Sequence, residues 1–365
     1  MKVVFRVDAA LDIGTGHVMR CLALAEKLRF VGAECHFICR AHAGNSIKAI
    51  GERGFEVTEL PLVSGDNPRE GRADNPEMVH AAWLGAEWRQ DAEQTLCAVR
   101  SLKPDLLVID HYAIDWRWEG LMRPQVHRIM VIDDLADRRH DCDFLLDQNW
   151  FGESGPLRYQ GLVPLDCVAL LGPAYALLKP EYATLRALIP SRDGEVRRLL
   201  VFLGGSDPAN ETGKVMDALT HPGLDHLVVD VVLGINHPDP GSIASKAEAR
   251  PATYLHSGLP SLAGLMARAD LMISAGGSTS WERMCLGLPA IVISIAENQT
   301  ATSKAMMEAG YIDFLGDRSE VDVQMIVSAV LRCLAEPSRL QRMSRESQEL
   351  VSGAGVERVC GIVLG

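Results

Sequence analysis

Short apolar runs ending in Gly, Asp or Asn alternate along the chain with longer stretches whose apolar residues recur at helical spacing, the pattern of an α/β fold built on parallel strands. In the first half the runs are "KVVFRVD" (2–8), "ECHFICR" (34–40), "DLLVID" (105–110), "RIMVIDD" (128–134) and "DFLLDQN" (143–149). Between the first two, Val18, Leu22, Ala25 and Leu28 share one helix face, which completes a β-α-β unit. A second series follows: "RRLLVFLGG" (197–205), "HLVVDVVLG" (226–234), "ATYLHS" (252–257), "LMISAGG" (271–277) and "PAIVISIA" (289–296). The stretch "ALIPSRDGEVR" (187–197) loses periodicity and collects Pro190, Ser191, Asp193 and Gly194, so the domain boundary is expected there. The pattern predicts an α/β architecture of two Rossmann-like domains, residues 1–188 and 196–365, facing each other across a cleft. Ligands of such sheets bind outside the carboxyl ends of the strands.

Two further stretches carry no strand series. Residues 64–96 read as a polar loop followed by an amphipathic helix with Trp83 and Trp88, expected to be a surface insertion packed by its tryptophans and clear of any site. A helical C-terminal stretch, roughly 318–350, reads as structural.

Composition narrows the class. A chain of 365 residues with 47% apolar side chains supports a large core and two domains. A formal charge of −12 excludes a nucleic-acid scaffold, which needs a basic face, and at 5% aromatic residues base-stacking platforms are scarce. The 9 cysteines form no C-x-x-C pair and read as reduced, mostly buried thiols. The chain opens on "KVVFRVDA", a strand pattern and not a charged-then-apolar leader, and no apolar run reaches membrane-spanning length. The expectation is a soluble cytoplasmic protein with neither membrane nor nucleic acid as partner.

Candidate chemistry starts at "LDIGTGHVMR" (11–20), where Gly14 and Gly16 are followed by His17 and Val18 and not by the third glycine of a dinucleotide fingerprint. A nicotinamide site is therefore disfavoured. What remains is a strand, a Gly-x-Gly turn and a histidine on the first turn of a helix, whose amino end disfavours imidazolium. A neutral ring there can accept a proton; the competing reading is a capping or core histidine. In the second half, "GGSDPAN" (204–210), with Gly204, Gly205 and Ser206, and "AGGSTSWERMCLGLPA" (275–290), with Gly276, Gly277, Ser278 and Thr279, each follow a strand and open a helix. Each can aim free backbone N–H groups at an anion, so a diphosphate needs no metal. Glu282 lies one turn into its helix, suited to a ribose diol or, equally, to complementing the helix dipole. Asn298 and Gln299 follow a strand and can orient a sugar or cap a turn. Tyr112, after Asp110 and His111 at a strand end, can touch a sugar or simply pack its loop, and Asp110 reads as a cap. The aspartates of "IDDLAD" (132–137) and "DCD" (141–143) invite a metal, but no further ligand cluster accompanies them, and neither metal nor cofactor is expected.

Taken together, "FRVDAALDIGTGHVMRCLALAEKL", "DHYAID", "GLVPLDC", "LGPAYALLKPEY", "FLGGSD", "SAGGSTSWERMCLGLPA" and "ENQTATSKAMMEAGY" resemble the UDP-sugar hydrolases of pseudaminic acid biosynthesis along nearly the whole chain. That family is similar in fold to GT-B glycosyltransferases, notably the lipid-linked N-acetylglucosamine transferase of peptidoglycan assembly. The resemblance implies a hydrolase releasing UDP from UDP-2,4-diacetamido-2,4,6-trideoxy-β-L-altropyranose by attack of water at the anomeric carbon, which with the glycine turns above would be metal-independent. It implies His17 as general base, Tyr112 and Asn298 lining the sugar site, Glu282 on the ribose, and uracil against the loop at His256 and Ser257, largely through backbone. The tail "SGAGVERV" and the 64–96 stretch depart from the family pattern. An inverting UDP-sugar glycosyltransferase and a non-catalytic UDP-sugar binder remain as alternatives. Oligomeric state is not encoded in these patterns.

Overall fold

The computed structural model describes residues 1–62, 79–205 and 207–365. Ser206 and residues 64–78 of the expected loop lie outside the described residues. The first sheet is formed by β1 (Lys2–Val7), β2 (Glu34–Arg40), β3 (Glu56–Leu60), β4 (Leu106–Asp110), β5 (Arg128–Ile132), β6 (Phe144–Asp147) and β7 (Val168–Leu171). All its pairings are parallel, in the order β3-β2-β1-β4-β5-β6-β7. The second contains β8 (Arg198–Phe202), β9 (Val228–Leu233), β10 (Thr253–Ser257), β11 (Leu271–Ala275), β12 (Ala290–Ser294) and β13 (Asp313–Asp317), also parallel, in the order β10-β9-β8-β11-β12-β13. Both are doubly wound α/β sheets, as the run-and-helix alternation predicts.

β1 shows why the runs are nearly continuous. Val3, Phe5 and Val7 face a core shared with Val18, Leu22, Ala25 and Leu28 of the helix Gly16–Phe30. Val4 faces a second core, where the helices Trp88–Leu102 and Trp116–Met122 pack. With both faces covered, a parallel strand has no solvent side on which to alternate. Arg6 also points into the sheet and is fully buried, held by Asp8 and Asp91 at 2.7 Å each.

The chain divides into two compact units, one of residues 1–149, 154–177 and 355–365, the other of residues 150–153 and 178–354. This corrects the division expected from sequence in two places. The helix Pro180–Leu188 belongs to the second unit, where Tyr182 is buried. The C-terminal helix Gly355–Leu364 returns to the first, burying Val356, Val359, Cys360 and Val363 in the core under β1. An amphipathic helix declares that it needs a core without declaring which one.

In each sheet the strand order reverses beside its first strand. The reversal falls between β1 and β4 in the first unit and between β8 and β11 in the second. At such a reversal the connections leave in opposite directions, and it is beyond the carboxyl ends of these strands that ligands of doubly wound sheets bind.

Candidate active site

Gly14 takes φ of +77° and closes a turn by donating its N–H to the Ala10 carbonyl at 2.8 Å. A side chain there would strain the backbone, and the turn delivers the chain straight into the helix that starts at Gly16. His17 is thus the second helical residue, beside the end of β4, because Val7 of β1 pairs in register with Asp110. Its Nδ1 lies 2.6 Å from Asp110 Oδ1. A carboxylate only accepts, so the proton sits on Nδ1 and a neutral ring keeps its lone pair on Nε2. Nε2 has no partner among the described residues, and the residue retains 9% of its surface.

Arg20, one turn further along the same helix, fixes the carboxylate. Its Nε donates to Asp110 Oδ2 at 2.6 Å and its Nη2 to Oδ1 at 2.7 Å, while Nη1 reaches Asp134 Oδ2 at 3.1 Å. Burial pushes Asp110 upward, but Arg20 and His17 outweigh it and hold the carboxyl well below the ordinary carboxylate range. A carboxylate and a guanidinium of opposite sign thus flank the same ring nitrogen of His17.

Tyr112 is brought to the same place, although not as expected. Its hydroxyl donates to Asp134, and its ring stands edge-on to His17 with centroids 4.7 Å apart. Burial and the neighbouring Asp134 raise the phenol well above its usual value, so it remains protonated. The 64–96 stretch also reaches this site, contrary to expectation. Its 3-10 turn Ala81–Leu84 puts Trp83 over Tyr112, centroids 5.6 Å apart and 23° between planes, and 6.5 Å from the His17 ring. Trp88 behaves as predicted, packing against the second core with Arg89 and Arg117 over its ring.

The aspartates that invited a metal are neutralised by arginines. Asp133 and Asp137 pair with Arg138 at 2.8 Å each, Asp134 with Arg20, and Asp141 and Asp143 with Arg123 at 3.0 and 2.5 Å. No group of three or more His, Cys, Asp or Glu among the described residues is arranged to hold a metal ion.

The second unit gathers its candidates around β8 and β11. Gly276 follows β11 directly, and its N–H donates to Gln299 Oε1 at 3.2 Å, an oxygen that also accepts from Ile295 N at 3.1 Å. Gln299 therefore ties the turns after β11 and β12 together. A Cβ on Gly276 would lie 2.6 Å from Ser303 Oγ and 3.2 Å from Gln299 Cβ, too close for anything but glycine without a shift. The N–H groups of Gly277 and Ser278 meet no acceptor among the described residues, and the helix Thr279–Cys285 begins beside them. Asn298 is exposed on the first turn of the helix Glu297–Glu308.

The turn after β8 departs from expectation. Asp207 accepts from Glu211 N at 2.9 Å, Thr212 N at 2.8 Å and the Thr212 hydroxyl at 2.6 Å, and Asn210 accepts from Gly213 N at 3.0 Å. The opening N–H groups of the helix Glu211–Ala218 are therefore already capped by this unit's own side chains, so beside Gly204 and Gly205 they are not free for an anion. His256 turns its Nε2 to Asp230 Oδ1 at 2.8 Å, which leaves the backbone around Ser257 as the available surface. Glu282 faces Tyr182 and Lys179; burial pushes its carboxyl up to about 7 while those two groups pull it back.

Of the sequence candidates, His17 and Tyr112 meet in the first unit, and Gly276, Gly277 and Gln299 meet in the second. Arg20, Asp134, Trp83 and the orienting role of Asp110 were not read from the sequence. For Asp110 a signal existed, because parallel strands that flank a reversal bring their ends together.

Comparison with known proteins adds three findings. Residues 200–358 match the family model described as Glycosyltransferase family 28 C-terminal domain. The spore coat polysaccharide biosynthesis protein SpsG of Bacillus subtilis is 31% identical over 53% of the chain, a match spanning 57% of that relative, and a relative from Methanocaldococcus jannaschii is spanned to 55% of its length. The UDP-2,4-diacetamido-2,4,6-trideoxy-beta-L-altropyranose hydrolase of Campylobacter jejuni is 23% identical over 85% of the chain and 98% of its own length. Among solved structures, the MurG of Acinetobacter baumannii superposes with a TM-score of 0.66 at 13% identity, covering 100% of the chain and 99% of its own, which establishes the two-domain GT-B fold class.

Proposed function

From a chain related to a UDP-sugar hydrolase and carrying a glycosyltransferase family 28 match in its second unit, we propose that the protein is a UDP-sugar-processing enzyme that hydrolyses its substrate at the anomeric carbon, releasing UDP. By the relationship to the Campylobacter jejuni hydrolase, the substrate is UDP-2,4-diacetamido-2,4,6-trideoxy-β-L-altropyranose. The observation that carries the reading is the His17 ring, anchored at Nδ1 by Asp110 with Nε2 left to accept a proton.

That geometry suits the proposed reaction. His17 Nε2 takes a proton from water as the water oxygen bonds to the anomeric carbon; the bond from that carbon to the β-phosphate oxygen breaks, and UDP leaves with the electron pair. Asp110 stabilises the imidazolium that forms and keeps the ring in one tautomer, and Arg20 keeps Asp110 ionised. Tyr112, tied to Asp134, holds one side of the ring. In the second unit, the free N–H groups of Gly277 and Ser278 are assigned to the departing phosphate charge, Glu282 to the ribose, the His256–Ser257 backbone to uracil, and Asn298 to the sugar. The capped helix after Gly204 and Gly205 contributes shape in place of charge. No metal or cofactor is used.

A second reading is transfer of the sugar to an alcohol, favoured by the glycosyltransferase match; the same base would then deprotonate the acceptor. Incubating pure protein with the UDP-sugar, with and without EDTA, and following products by NMR separates these. Release of UDP and free sugar of inverted anomeric configuration, in water alone and indifferent to EDTA, is the expected result. Release only with added acceptor assigns transfer, and binding without release assigns a sensor or assembly partner.

A further inference from the structure

Beside His17 lies an aromatic group of which the proposed reaction uses only Tyr112. Val79 and the turn Ala81–Leu84 carry the chain over the end of β4, so that His80, Trp83 and Tyr112 form a contiguous aromatic group: His80 to Trp83 4.4 Å, His80 to Tyr112 5.3 Å, Trp83 to Tyr112 5.6 Å between centroids. Tyr112 is buried, whereas Trp83 and His80 are only half-buried. Trp83 lays one ring face on Tyr112 and stands edge-on to the His17 ring, so the half-buried remainder of the indole, flanked by the His80 imidazole, is apolar surface bordering His17. Core packing does not require them there, since Leu84, not Trp83, is the residue of this turn that enters the core.

We propose that Trp83, assisted by His80, is a specificity-determining wall that selects nucleotide sugars whose hexose is deoxygenated and N-acetylated. The inference rests on the hydrolase reading only in placing a sugar at His17. An indole face offers no hydrogen bond to a hydroxyl but takes C–H groups and methyls well, and such contacts gain both from burial of apolar surface and from the π-face. A 6-deoxy carbon and acetamido methyls satisfy that face, while a fully hydroxylated hexose leaves hydroxyls against it without partners, which costs it affinity. The charged groups nearby do not offset this preference. Arg20 is committed to Asp110 and Asp134, and burial lowers His80 from its ordinary value, leaving its ring uncharged at neutral pH.

The test compares the parent, Trp83→Ala and Trp83→Phe in a His17→Gln background, so that no turnover disturbs the titrations. UDP-2,4-diacetamido-2,4,6-trideoxy-β-L-altropyranose, UDP-glucose and UDP are titrated calorimetrically into each protein. The wall predicts that Trp83→Ala weakens the diacetamido sugar by about tenfold or more, changes UDP-glucose and UDP by less than about twofold, and that Trp83→Phe recovers most of the loss. Equal weakening of all three ligands, unchanged affinity for the diacetamido sugar, or a parent that does not prefer it over UDP-glucose overturns the proposal. The hydrolase reading fails separately, when wild-type protein releases no UDP while the Trp83-dependent preference persists.

Discussion

At the carboxyl ends of β1 and β4 the chain gathers ionised side chains, whereas at those of β8 and β11 it gathers glycines, hydroxyls and amides. The folds beneath are alike, two parallel sheets with the same strand order apart from the extra edge strand β7 of the first, and a reversal at the same place. At the first reversal His17, Asp110, Arg20 and Asp134 are knit by bonds of 2.6 to 3.1 Å. At the second the free donors are peptide N–H groups, and the carboxylate of the turn after β8, Asp207, is turned onto its own helix. The contrast fits the proposed division of labour: a proton must be held at one atom, which needs a side chain with a fixed tautomer, while a diphosphate can be cradled by backbone whose dipoles cannot titrate.

Several substitutions sharpen or break that contrast. Asp110→Asn is nearly isosteric but puts an NH2 donor in place of one accepting oxygen, so the fixed His17 tautomer and the two-point grip of Arg20 can no longer both be held, Arg20 keeping only Asp134 in full. UDP release should fall on the order of 10²- to 10⁴-fold in kcat, with KM for the UDP-sugar little changed; a matching loss in UDP affinity would mean that the network holds the nucleotide as well. Gly276→Ala acts on the other unit. Its Cβ would press on Ser303 and Gln299, and titration should find UDP bound about tenfold more weakly, with kcat at saturation nearly retained. Tyr112→Phe removes the donor to Asp134 but keeps the ring beside His17, and turnover should drop severalfold through poorer orientation.

The smallest effect is on stability. Burial raises the Glu282 carboxyl to about 7 in the folded protein, above its ordinary value of 4.5, so folding binds a proton there. The stabilising contribution is complete below about 4.5 and is lost as pH rises through about 7. Glu282→Gln should therefore unfold like wild type at pH 4.5 and be more stable at pH 8, by about 1 kcal/mol after allowing for partial exposure. Denaturant melts at both pH values check the sign.

The same contrast explains what was legible in the sequence. Backbone devices announce themselves locally: a strand, a glycine turn and a helix start follow one another within a few residues, so Gly14, Gly16, Gly276 and Gly277 could be read directly. His17 shares that signal because it is the second residue of the helix the turn opens. Its partner does not, since Asp110 lies 93 residues away and only the pairing of β1 with β4 brings it near. Asp207 was legible as part of a motif, but whether a carboxylate faces outward or caps its own helix depends on side-chain direction, which spacing does not state. The ten apolar runs located strands correctly, yet β3, β7 and β13 were not read: "EVTEL", "VALL" and "DFLGD" are short and only partly buried at sheet margins, where the demand for continuous apolar character relaxes. The two tryptophans of one short segment went to different ends, Trp88 to packing and Trp83 to the site, because only the fold decides which of them overhangs β4.

The central claim, that proton chemistry resides in the first unit and nucleotide affinity in the second, is tested most directly by titrating UDP into His17→Ala and wild-type protein side by side. The account predicts equal dissociation constants within about twofold, in a variant that no longer turns over the UDP-sugar. Affinity for UDP lost together with activity would contradict it.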